Sequence, residues 1–75
     1  MWRVIVNCSA DSWATQAKAF NEILAKYPAK PLSSKKMQGD GRRIMEFQLD
    51  DVSDAESLQD ECLTLEGFTA QFESL

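Results

Sequence analysis

Cys8 ends an alternating apolar segment and directly precedes a helical pattern, a place where a thiolate is stabilised by helix N-terminal amides and acts as a nucleophile. Such chemistry needs a partner base, and the 75-residue chain contains no histidine. Cys8 also falls on the apolar side of its segment, as Cys62 does on its own, and an unmodified thiol there behaves as a small hydrophobe. Buried free thiols are therefore expected, with no catalytic residue assigned. A disulfide between them would need an oxidising compartment, and no pair has zinc-ligand spacing.

Asp50, Asp51 and Asp54 offer oxygen ligands of the kind a divalent cation takes. They lack the glycine and distal glutamate of an EF-hand loop, and their place at a helix start is explained by the helix dipole, so no metal or cofactor is expected. Gly39-Asp40-Gly41-Arg42-Arg43 invites a phosphate-loop reading, but it joins two strands and opens no helix. It reads as a hairpin tip, leaving Arg42, Arg43 and Lys36, with Lys35 beside them, as a candidate anion contact.

The elements that position these residues follow from periodicity. Trp2 to Cys8 alternates, with Trp2, Val4, Val6 and Cys8 on one face and Arg3, Ile5 and Asn7 on the other. Ser9 and Asp11 are candidate N-caps for a helix of about four turns with a stripe through Trp13, Ala17, Phe20, Leu24 and Tyr27, stopped by Pro28. Leu32 to Gln38 and Arg43 to Leu49 read as a hairpin with a two-residue Asp40-Gly41 turn. That register sets Leu32 opposite Leu49, Lys35 opposite Glu46 and Met37 opposite Ile44. Ser53 to Glu56 has the capping-box pattern and begins a second helix with its stripe at Ala55, Leu58, Cys62 and Leu65. Gly67 suits a left-handed helix end, and Phe68 to Leu75 alternates again as a last strand.

The order strand, helix, strand, strand, helix, strand predicts one α+β domain over residues 1–75, a ferredoxin-like βαββαβ sandwich. Right-handed crossovers give a four-stranded antiparallel sheet of order 4-1-3-2 with both helices on one face. The polar, lysine-bearing second strand suits an edge.

Charge is unevenly placed. Residues 1–49 carry all eight cations against four acids, net +4, whereas residues 50–75 carry eight acids and no base. An acidic chain, net −4, is a poor general binder of phosphate backbones. The central strands present Ile5 and Ile44 outward where single-strand RNA binders carry stacking rings, so no nucleic-acid partner is expected. No apolar run exceeds three residues, as at Val4 to Val6, too short to span a membrane, and the N-terminal segment lacks secretory-signal anatomy, which predicts a cytoplasmic setting.

These observations favour a non-catalytic interaction module that docks a protein partner or a second copy. Its expected surface is the helix-free sheet face, with Ile5, Met37 and Ile44 set among Arg3, Lys35 and Glu46, or else the polarised edges. Like edges should repel, so edge pairing would run head to tail. The alternative is a regulatory domain that binds an anionic metabolite as a dimer near Lys35, Arg42 and Arg43.

Overall fold

In the computed structural model, which describes residues 1–75, β1 (Trp2–Cys8) runs up the middle of the sheet with Val4, Val6 and Cys8 fully buried on one face. The chain then forms α1 (Ala10–Leu24), β2 (Lys30–Lys36), β3 (Arg43–Leu49), α2 (Val52–Cys62) and β4 (Phe68–Ser74). The sheet order is β2-β3-β1-β4, which is the ferredoxin-like order expected from the sequence. β1 pairs antiparallel with β3 and with β4, so Arg3 lies between Gln48 and Glu73, and Asn7 between Ile44 and Thr69.

Burial follows the alternation. Met45, Phe47 and Leu49 of β3, Phe68 of β4, and Ala55, Leu58 and Cys62 of α2 close the core around Phe20, the one fully buried side chain of α1. Phe20 is in ring contact with Trp13, Phe47 and Phe68 and, with the partly buried Trp13, Ile23 and Leu24 beside it, fastens α1 to the sheet. Neither helix is long and apolar enough to cross a membrane.

Ser9 caps α1 by accepting from the Ser12 amide at 3.1 Å. The start of α2 differs from expectation. Asp51, not Ser53, is the N-cap, accepting from the Ser53 amide at 2.8 Å, and Ser53 lies inside the first turn. A carboxylate combines the capping acceptor with favourable charge at the helix dipole, so it wins over the hydroxyl two residues on. Asp51→Ala should therefore cost about 1 kcal/mol in urea unfolding, while Ser53→Ala should fall within about 0.5 kcal/mol of wild type. Equal losses would place the helix start at Ser53.

The hairpin is also corrected. β2 starts at Lys30 rather than Leu32, and its pairs are Lys36 with Arg43, Lys35 with Ile44, Ser34 with Met45 and Ser33 with Glu46. A two-residue Asp40-Gly41 turn of the mirror-image type needs φ > 0 at Asp40. Only glycines adopt positive φ here, Gly39 at 93° and Gly41 at 74°, and the connection widens to residues 37–42, closed by the Met37 amide donating to the Arg42 carbonyl at 2.7 Å. Met37 thus leaves the strand and does not face Ile44. Lys35 is not opposite Glu46, and Leu32 is not opposite Leu49. The shift at the hairpin end is two residues, which preserves side-chain parity, so Lys35 and Ile44 still point to the helix-free face. Beyond it a bulge between Pro31 and Ser33 leaves Leu32 without a cross-strand partner and 43% exposed.

Candidate functional site

The helix-free face of the sheet is organised by cross-strand registry. Ile5 sits at its centre, opposite Glu46 on one side and Gln71 on the other, and Ile44 is its diagonal neighbour, opposite Asn7 and Lys35. Both isoleucines are half-buried, the share of surface a side chain keeps when flanked on a flat sheet by neighbours but covered by nothing.

Around this apolar centre the polar side chains hold one another. Arg3 spans three strands, making an ion pair with Glu46 on β3 at 3.1 Å and donating from Nε to Glu73 on β4 at 2.9 Å. Its hydrogen bond to Glu73 raises the guanidinium pKa further above its already high ordinary value. Ser33 donates to the second oxygen of Glu46 at 2.9 Å. At the other end Arg42 donates from two nitrogens to Asn7 Oδ1, at 3.1 and 2.7 Å. Surface ion pairs contribute little stability, so the consequence of these contacts is geometric: they fix long side chains in one arrangement around Ile5 and Ile44. A shallow depression of about 250 Å³ bounded by Ile5, Asn7, Thr69 and Gln71 lies on the β1–β4 side of the same face.

The structure thus brings together Arg3, Ile5, Ile44 and Glu46, with Lys35 at the rim, and leaves Met37 in the exposed hairpin loop. Asn7, Gln71 and Glu73 belong to the same face, as strand parity places them, but the pairing of Glu73 with Arg3 depends on the β1–β4 register and was not legible in the sequence. The basic residues do not converge. Arg42 reaches Asn7 on the open face, whereas the Arg43 guanidinium lies over the Trp13 ring, 4.6 Å from its centroid, on the helix-covered side. Lys36 pairs with Arg43 in register and is exposed.

Both thiols point into the core with no accessible surface. Burial pushes Cys8 up from its ordinary value against the pull of Arg43 and Arg42, and it pushes Cys62 up to about 12. Neither presents a thiolate to solvent. Across the helix layer, Glu61 of α2 accepts from Lys26 and from the Tyr27 hydroxyl just beyond α1. The bond from Lys26 lowers the Glu61 carboxyl, and the bond to Glu61 holds the Tyr27 phenol at about 12. This clasp ties the end of α1 to α2.

A second concavity lies at the β2 edge. Trp13, Phe20 and Leu24 of α1 face Pro31, Leu32, Met45 and Phe47 of the sheet across a largely apolar groove of about 320 Å³.

No protein-family model matches the chain, and no curated protein matches it. Among solved structures it shares its ferredoxin-like fold with the ACT domain from the GTP pyrophosphokinase of Chlorobium tepidum, at a TM-score of 0.66 and 11% identity over 96% of this chain and 95% of that one. A formyltetrahydrofolate deformylase from Pseudomonas putida KT2440 contains the same arrangement, at a TM-score of 0.56 and 13% identity, with 99% of this chain matched to 28% of the enzyme. At such identities the shared property is the fold, an α+β sandwich that other proteins carry as one domain of an enzyme.

Proposed function

We propose that this domain is a non-catalytic interaction module whose helix-free sheet face docks a protein partner or a second copy of itself. The observation that carries this reading is the half-buried pair Ile5 and Ile44, enclosed by side chains that cross-strand bonds already hold in place. A surface ordered before binding loses less side-chain entropy on association, and two apolar side chains covered by a partner would contribute roughly 1.5–3 kcal/mol each before association costs. The two carboxylates on this face, Glu46 and Glu73, are both engaged by Arg3, and the buried thiols do not reach it.

The test is sedimentation velocity, and capture from the native lysate, with wild type beside Ile44→Glu. The substitution should abolish self-association or partner capture while leaving the fold intact. Undiminished association would move the docking surface elsewhere.

One observation favours a second reading. The fold is shared with a domain of a GTP pyrophosphokinase and a portion of a formyltetrahydrofolate deformylase, so a regulatory role toward an anionic metabolite, near Lys35, Lys36, Arg42 and Arg43, stands as the alternative. The divergence of Arg42 and Arg43 to opposite faces means a single chain offers no closed anion pocket, and two copies would have to build it. In a thermal-shift series over nucleotide and folate anions, a ligand at a hundred times its dissociation constant should add about 2.7 kcal/mol of stability. A flat response across that series excludes the alternative.

A further inference from the structure

The groove beside β2 and the free edge of that strand form one continuous surface. β2 pairs only with β3, nearly every residue of it is exposed, and its outer side has no protein partner for its backbone groups. The bulge turns Leu32 out at the mouth of the groove, where it joins Pro31 on the sheet side and Leu24 on the helix side.

The charge of this edge is not neutralised internally. Residues 30–43 hold five cations, Lys30, Lys35, Lys36, Arg42 and Arg43, against the single acid Asp40. Ion pairs in the protein engage only Arg3 and Lys26, so none of these five side chains is paired with a carboxylate. Lysines on an edge strand guard against indiscriminate strand pairing, and the same lysines select for a strand of opposite charge.

Building on the reading of this domain as an interaction module, we infer that the β2 edge takes an extended acidic segment of another polypeptide, added as a fifth strand with an apolar side chain seated in the α1–β2 groove. Strand addition supplies main-chain hydrogen bonds, and alternation of side chains sends every second residue toward the helix layer and the others toward the open face. The segment that fits therefore alternates apolar residues, which meet Leu32 and Leu24, with acidic ones, which meet Lys35 and Lys30. A second copy of β2 is a poor occupant, because it would set Lys30, Lys35 and Lys36 against themselves. A nucleic-acid strand matches the cations but leaves the apolar groove unfilled.

The experiment titrates the isotope-labelled 75-residue domain with a peptide of about seven residues alternating glutamate and valine, alongside a lysine–valine twin and a single-stranded oligouridylate. The glutamate peptide should bind at least about tenfold more tightly than its twin, lose affinity with added salt, and protect amides of Ser33 to Lys36 from exchange. Leu32→Glu, and the double substitution Lys30→Glu with Lys35→Glu, should each weaken it about tenfold or more while the remaining amide spectrum keeps its native dispersion. Ile5→Ser, on β1 with β3 between it and β2, should bind the peptide as wild type does. Equal affinity for the two peptides, displacement by the oligouridylate, or a β2 edge already protected by a second copy would each overturn the inference. None of these touches the sheet-face reading, which is tested separately by the association of Ile44→Glu.

Discussion

Met45→Glu is expected to abolish cooperative unfolding of the domain, whereas Ile44→Glu, one residue away on the same strand, should unfold within about 1 kcal/mol of wild type. Met45 is 4% exposed in the cluster formed with Val6, Phe20 and Phe47. Arg43, two residues along the strand on the same side, is held over the Trp13 ring, so a carboxylate buried at position 45 would have to be desolvated or neutralised, at a cost of several kcal/mol. A small domain has about 5 kcal/mol to lose. Ile44 points the other way, with Lys35 as its direct cross-strand partner, so a glutamate there gains a favourable neighbour and remains in contact with water. Far-UV circular dichroism with urea titration separates the two. Comparable unfolding by both substitutions would mean that the Ile44 face is covered within the monomer.

Gly67→Val should be nearly as damaging, and for a reason that the turn alone does not supply. Gly67 has φ 80°, which costs an L-residue about 1–2 kcal/mol and a β-branched one more. It also lies against the first turn of α1: a Cβ at this position would stand 1.8 Å from Ser12 Oγ and 2.8 Å from Ser12 Cβ. Ser12 is itself held by Ser9, whose hydroxyl donates to Ser12 Oγ at 2.9 Å, so the contact is not relieved by a simple rotation. Backbone strain and overpacking together put Gly67→Ala at about 2–5 kcal/mol, with Gly67→Val leaving little folded protein. Asparagine tolerates the φ but not the contact, so Gly67→Asn should be close to Gly67→Ala. In a double-mutant cycle, Ser12→Gly should recover part of the Gly67→Ala loss. If Gly67→Ala lies within about 0.5 kcal/mol of wild type, the first turn of α1 does not pack on this turn.

How far the fold was legible depends on whether each feature is local. The alternation of Trp2–Cys8 and Arg43–Leu49, the Ser9 cap and the Phe20 stripe are properties of short windows, and they led to the correct element order, sheet order and inward faces. The open face followed from the same parity, so Arg3, Ile5, Ile44 and Glu46 meet as read. The hairpin failed where two glycines competed: Asp40-Gly41 has the composition of a tight turn, but placing the positive φ values at Gly39 and Gly41 lets Asp40 accept from the Arg42 amide at 3.0 Å in a wider loop. That choice moved Met37 out of the sheet. The bulge at Leu32 has no signature in Lys-Pro-Leu-Ser-Ser, and with it went any sign of the groove. Gly67 was read as a helix end, but α2 stops at Cys62 and a further turn intervenes. The close approach to Ser12 joins residues 55 positions apart, which no local pattern records.

The central claim, that the helix-free face is a docking surface, is tested most directly by the methyl resonances of Ile5 and Ile44. These should be followed as the isotope-labelled wild-type domain is concentrated and as a captured partner is added. Shifts and line broadening confined to Ile5, Ile44 and the backbone of Arg3, Glu46 and Gln71, with core methyls such as Leu58 unmoved and the response lost in Ile44→Glu, are the predicted result. Association that leaves both isoleucine methyls unperturbed would contradict it.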